Sequence, residues 1–171
     1  MAVKKRKAAA KRKQEMGLDT LKPFDKAVDP LGRGPLKPFE TGEELLEKTI
    51  EVFDEMDPFL GNCLKEMVTL DRFDLDSRKG KNPGGYNYPL EETGYPFIFM
   101  NAAGTVRDVV TLLHEGGHAV HSILTKDLAL NSFRNFPSEV AELASMSMEL
   151  MTMDLWDKYF TNPDEAKRAK I

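Results

Sequence analysis

Apolar residues recur every three or four positions between residues 105 and 126, at Val109, Leu112, Leu113, Ala119, Val120, Ile123 and Leu124. That is the period of a helix with one buried face. Asn101 or Thr105 leads into it, and it runs to about Lys126. A second helix opens at Thr41, which can cap it while Glu44 completes a capping box, and its stripe is Leu45, Ile50, Val52, Phe53 and Met56. Asp57-Pro58 breaks it, and Pro58 suits the first turn of another helix through Leu60, Leu64, Met67 and Val68. A long helix is predicted from Pro137-Ser138 to about Phe160, where Asn162-Pro163 ends it and a last charged helix begins. Two short strands, Gly85 to Leu90 and Pro96 to Asn101, flank Glu91-Glu92-Thr93-Gly94, which has hairpin-turn length. Asp74 to Gly85 reads as a loop, because its Gly and Lys residues lack phosphate-loop spacing. The pattern predicts a mainly α fold with a small β-hairpin or sheet.

The N-terminal part follows a different pattern. Residues 1–16 read as a basic helix or tail, with Lys4, Lys5, Arg6, Lys7, Lys11, Arg12 and Lys13 around Ala8 to Ala10. They show no interleaved aromatics for base stacking and no apolar face for a lipid surface, so neither a nucleic acid nor a membrane is expected as partner. Residues 17–41 read as an irregular packed segment. Pro23, Pro30, Pro35 and Pro38 forbid a continuous helix, while Leu21, Phe24, Val28, Leu31, Leu36 and Phe39 give it apolar residues to bury.

Composition narrows the setting. A chain of 171 residues is of single-domain size, with 41% hydrophobic and 30% charged residues and a formal net charge of -4. Its single cysteine, Cys63, excludes an internal disulfide framework and fits a reducing compartment. No apolar run is long enough to span a bilayer, and no apolar stretch follows the basic N-terminus as a secretory signal would. A cytoplasmic location is expected.

The candidate chemistry lies on the first helix described. All 3 histidines of the chain fall within His114-Glu115-Gly116-Gly117-His118-Ala119-Val120-His121. His118 and His121 lie within about 40° of His114 around a helix, opposite the apolar face. Histidines four apart stack on one face and can share a zinc ion. Glu115, about 100° round from His114, stands beside such a metal, where a general base is needed. Gly116 and Gly117 each cost the helix about 1 kcal/mol relative to Ala. That implies a close neighbour at this turn: a crossing helix on the plain reading, a substrate or metal-bound group on the functional one.

A catalytic zinc requires a third protein ligand and an open position. The carboxylates of the next long helix are the source. With Glu142 at zero, Glu149 lies about 20° away and Glu139 about 60° away, so all three can face the histidines. Spacing alone leaves the choice among them open.

The sequence resembles the M3 family of zinc peptidases, which includes thimet oligopeptidase and oligoendopeptidase F, and is most similar to the bacterial oligoendopeptidases. Three motifs carry the resemblance: His114 to His121, which fits H-E-x-G-H-x-x-H; Val140 to Glu149, with two glutamates seven apart; and Arg78-Lys79-Gly80-Lys81 with Gly84-Gly85-Tyr86, similar to an R-x-G-K…G-[AG] loop. The resemblance implies a zincin-like (gluzincin) core of two adjacent zinc-ligand helices. It implies one Zn2+ per chain, held by His114, His118 and Glu142, with Glu115 as general base in the hydrolysis of short peptides. Glu149 and His121, with Glu139 and Tyr86, become supporting or substrate-facing residues. Residues 42–171 then form a partial metallopeptidase catalytic domain. Family members are several times longer, and the Tyr and His residues that stabilise their oxyanion come from later helices. The alternative expectation is therefore a truncated, non-catalytic zinc-binding fragment, or a module that depends on missing flanking domains.

Overall fold

The computed structural model describes residues 2–26 and 28–170, and the side chains of all of these except residues 2–8 and Lys26. The chain divides into two compact units between Pro35 and Leu36.

The first unit opens with helix α1, Ala2–Glu15. Beyond it the proline-punctuated chain forms a 3-10 turn, Pro23–Lys26. Asp25 is buried and accepts from the Lys22 backbone N–H at 2.6 Å. The Arg12 guanidinium holds the returning segment by donating to the Asp25 carbonyl at 3.0 Å and to the Val28 carbonyl.

The second unit is helical around a three-stranded sheet. Helix α2, Gly42–Met56, starts at Thr41, whose side chain accepts from the Glu44 N–H. The other half of the expected box is different: the Glu44 carboxylate accepts from the Glu40 N–H at 2.7 Å, one residue further back. Asp57 caps helix α3, Pro58–Thr69. Phe73–Asp76 is strand β1, Gly85–Tyr88 is β2 and Phe97–Ala102 is β3. The sheet order is β1-β3-β2, with β1 parallel and β2 antiparallel to the central β3. The expected hairpin is present, but the start of the stretch read as a loop is β1. Its Phe-Asp-Leu-Asp alternation is four residues long and finds its partner more than 20 residues later, beyond the reach of a local pattern.

Helix α4, Val106–Thr125, carries the histidine motif and is fixed at its start by a full capping box between Thr105 and Asp108. Its apolar face is buried at Val109, Leu112, Leu113, Ala119, Val120 and Ile123, whereas Leu124, expected on that face, is 62% exposed. After a short turn of helix, α5 (Asn131–Arg134), helix α6 covers Ser138–Met151. The long helix expected to reach Phe160 instead tightens into a 3-10 segment, Met153–Tyr159. The change falls at Thr152, which is fully buried. Its hydroxyl donates to the Met148 carbonyl at 2.7 Å and accepts from the Trp156 indole at 3.3 Å. Asn162 caps the final helix α7, Pro163–Ala169.

The core gathers Leu45, Val52, Phe53, Leu64, Met67, Ile98 and Met100 around the buried face of α4. Burial of a large apolar side chain is worth about 1.5–3 kcal/mol, so this cluster is what holds α4 in place. Inside it the Thr49 and Tyr159 hydroxyls bond each other at 2.8 Å, and burial pushes the Tyr159 hydroxyl's pKa well above its ordinary value. No helix among the described residues is long and apolar enough to cross a membrane.

Candidate active site

The site is assembled where α4 crosses α6 beside β2. Both glycines of the motif are contact points. A Cβ on Gly117 would lie 2.8 Å from the Ser145 Cα and 3.0 Å from the Met148 Cγ, both on α6. A Cβ on Gly116 would lie 2.9 Å from the Phe53 ring. Gly117 therefore lets the two helix backbones approach, and the crossing-helix reading accounts for it. The approach sets the separation of the polar groups on their facing sides.

Three of those groups converge. His114 Nε2 lies 3.1 Å from His118 Nε2 and 3.5 Å from Glu142 Oε2, and His118 Nε2 lies 3.8 Å from Glu142 Oε1. One ligand atom from each of His114, His118 and Glu142 falls within 4.8 Å of the others. Four donors on a tetrahedral metal with ~2.05 Å bonds stand ~3.3 Å apart, so these spacings suit a zinc-sized cation. The donor chemistry agrees. Glu149 Oε1 sits 2.6 Å from His114 Nδ1, and a proton shared there leaves the His114 Nε2 lone pair facing the other two acceptors. Acceptors pointed at one another need a proton or a metal ion between them.

Glu115 is buried, 8% exposed, next to this group. Burial raises its carboxyl pKa above the ordinary value, opposed by the neighbouring His114 and by the Asn87 backbone N–H directed at it. A carboxylate whose proton affinity is raised in this way is a better general base near neutral pH. Burial, then the neighbouring His114, lowers the pKa of His118, which keeps its ring neutral and able to donate a lone pair.

The remaining sequence candidates separate. Glu149 faces His114 from the side away from the converging atoms. His121 stacks on Phe136 with ring centroids 3.8 Å apart; its Nδ1 is buried without a partner among the described residues, and burial lowers its pKa. Glu139 is exposed, and its side chain makes no hydrogen bond or ion pair among the described residues. Tyr86 is 51% exposed on β2 and stacks on its cross-strand partner Phe99 at 5.0 Å.

A cleft of about 580 Å³ runs beside the group and is lined by Gly84, Gly85, Arg107, Thr111, Glu142 and Met146 among others. Asn87, Arg107 and Met146 were not singled out from the sequence. Asn87 alone carried a signal, as an inward position of an alternating strand; its side chain donates to the Glu115 backbone carbonyl at 3.4 Å.

The Arg78–Lys81 stretch fastens β2 beside this cleft. Arg78 grips both Asp74 carboxylate oxygens, at 2.6 and 2.7 Å. Lys81, with a side chain 1% exposed, bonds the same carboxylate at 2.9 Å and the Asp76 carbonyl at 2.8 Å, and lies over the Phe99 ring. The Arg78 contact, ahead of the Lys81 contacts, pulls the Asp74 carboxyl down to about 2. The chain between Lys81 and Gly85 is thus anchored at the end of β1, and a Cβ on Gly85 would lie 2.9 Å from Thr111 on α4.

Comparison with known proteins gives one consistent answer. The profile of Peptidase family M3 matches residues 2–171. Among curated relatives, Group B oligopeptidase PepB of Streptococcus agalactiae is 29% identical over 138 residues, which is 81% of this chain and 22% of the relative. Oligopeptidase PepF of Bacillus subtilis is 33% identical over 110 residues, 64% of this chain and 16% of the relative. Among solved structures, PZ peptidase A with an inhibitor superposes with a TM-score of 0.86 at 29% identity, over 96% of this chain and 29% of that one. A putative oligoendopeptidase F from Bacillus anthracis gives 0.84 at 26% identity, over 94% of this chain and 29% of that one. The chain spans less than a third of the length of each of these proteins.

Proposed function

Because the chain belongs to peptidase family M3, we propose that the α4–α6 crossing is the hydrolytic centre of a zinc oligopeptidase acting on short peptides. The observation that carries this reading is the convergence of His114 Nε2, His118 Nε2 and the Glu142 carboxylate beside a buried Glu115. These residues would hold one Zn2+, which when bound polarises the scissile carbonyl and acidifies the attacking water. Glu115 takes the water's proton and passes it to the departing nitrogen, a transfer favoured by its raised proton affinity. Glu149 holds the His114 ring in the orientation that exposes Nε2. Among the described residues, the sheet order leaves one side of β2 without a strand partner. An extended peptide laid along that edge would have its backbone groups satisfied by strand addition.

The experiment is hydrolysis of an internally quenched peptide by the full chain with and without zinc, for the wild type and Glu115→Ala. Zinc-dependent cleavage that disappears in Glu115→Ala supports the reading, and equal rates in all samples overturn it.

A second reading, a metal-binding module that works only with further polypeptide, is favoured by the outer face of α6. Val140, Leu143 and Leu150 are 45%, 68% and 69% exposed there. On that reading the chain alone binds zinc and leaves the peptide intact.

A further inference from the structure

The cleft beside the candidate centre has a direction. Gly85 packs against Thr111, and Asn87 reaches the Glu115 carbonyl at 3.4 Å. Two strand residues advance about 6.6 Å and four helical residues about 6 Å, so β2 runs alongside α4 in the same sense. Upstream on the same face of α4, seven residues before His114, stands Arg107. Seven residues correspond to about 20° of rotation and about 10.5 Å of rise, which places Arg107 in line with the metal-ligand candidates.

Arg107 lines the cleft, and its side chain makes no hydrogen bond or ion pair among the described residues. The carboxylates that share the cleft are already engaged. Asp108 accepts from the Ala103 N–H at 3.0 Å and from the Thr105 N–H and hydroxyl at 2.8 Å each. Glu149 is on His114, Glu142 faces both histidines, and Glu115 is buried against Asn87. A guanidinium in a cleft whose acids are all otherwise committed is available to an incoming anion.

Resting on the peptidase reading above, we propose that Arg107 takes a carboxylate of the bound peptide about three residues on the C-terminal side of the scissile bond. The spacing follows from about 10.5 Å of helix divided by about 3.3 Å per extended residue. The orientation follows from the charge. A peptide pairing antiparallel to β2 directs its C-terminus toward Gly85 and Arg107, whereas a parallel one would bring its ammonium group there. Arg107 thus sets both the direction of the peptide and the length of its C-terminal portion. The carboxylate can be the chain terminus or an acidic side chain at that position.

The test measures binding of N-terminally labelled peptides by fluorescence anisotropy, using the zinc-loaded 171-residue chain with Glu115→Gln to prevent turnover. One pair of peptides carries a free acid or an amide three residues after the scissile bond. A second pair is longer and amidated, with Glu or Gln at that third position. The expected result is that a carboxylate in either pair tightens binding about tenfold. Arg107→Gln abolishes that difference and Arg107→Lys restores part of it; the pair that responds identifies the source of the carboxylate. Equal binding within both pairs, a preference that survives Arg107→Gln, or no peptide binding overturns the proposal. Hydrolysis is scored separately on the Glu115 chain. Carboxylate-dependent binding without cleavage removes the peptidase reading and leaves the Arg107 contact standing, and cleavage without the preference does the reverse.

Discussion

Replacing Gly117 with Ala tests whether the closeness of α4 and α6 makes the metal site. The new Cβ would lie 2.8 Å from the Ser145 Cα, 3.0 Å from the Met148 Cγ and 3.3 Å from the Met148 Cβ. Carbon atoms rest at about 3.5–4.0 Å, so α6 must retreat by roughly 0.7 Å or more. Met148 can rotate away, but the Ser145 Cα is backbone and moves only with its helix. Glu142 is one turn away on that helix and moves too, widening its spacings of 3.5 and 3.8 Å to the two imidazoles. Metal–ligand distances tolerate about ±0.2 Å, so zinc affinity falls by about tenfold or more. Fold stability changes less. Ala recovers about 1 kcal/mol of helix propensity against about 1–3 kcal/mol of overpacking, leaving a net loss of about 0–2 kcal/mol. Gly116→Ala is the control. Its Cβ would meet the Phe53 ring at 2.9 Å and not α6, so it costs stability while zinc affinity stays within about twofold. Competition for zinc against a chromophoric chelator, with thermal melts alongside, reads both quantities. Wild-type zinc affinity in a folded Gly117→Ala chain would mean that the α4–α6 approach does not set the ligand spacing.

Two further outcomes follow from the same contacts. Glu149→Ala frees the His114 ring and weakens zinc binding by about 10–100-fold, checked by the same chelator competition. Asp74→Asn leaves the Lys81 ammonium buried without its counter-charge and lowers the unfolding free energy, read from denaturant titration, by about 2 kcal/mol near neutral pH, less than for a fully buried pair because Asp74 is 28% exposed. Because the folded Asp74 pKa, at about 2, lies below its ordinary 3.8, its contribution is present above about pH 4 and is lost as pH falls toward 2. The wild-type chain shows this loss in acid-titrated melts, and Asp74→Asn lacks it.

What the sequence revealed and what it hid divide along physical lines. Helix ends marked by local chemistry were legible: Thr41 caps the helix it was expected to cap, Pro58 stands in the first turn of the next, and Asn162-Pro163 opens the last one. The motif on α4 was legible because its apolar and polar faces follow the helical period. Strand β1 was not, since a parallel strand of four residues is defined by a distant partner. The break at Thr152 was also hidden, because it is made by the Trp156 indole returning to a buried hydroxyl. Leu124 fits the apolar stripe, yet near the end of α4 it stays mostly exposed among the described residues.

In the candidate site, helix phase allowed Glu139, Glu142 or Glu149 to face the histidines, and phase alone could not separate them. In the folded chain, Glu142 meets both Nε2 atoms, Glu149 meets Nδ1 of His114, and Glu139 is exposed to solvent. Separating them required the close approach at Gly117. Arg107 was unreadable in the sequence because its significance depends on which carboxylates around it are already bonded.

Diffraction from zinc-soaked crystals of the full chain, with data collected on either side of the zinc absorption edge, locates the metal. One anomalous difference peak is expected, about 2.0–2.2 Å from His114 Nε2, His118 Nε2 and a Glu142 oxygen, and it vanishes below the edge. A fully occupied zinc at other residues, or no peak between these three, would contradict this ligand set.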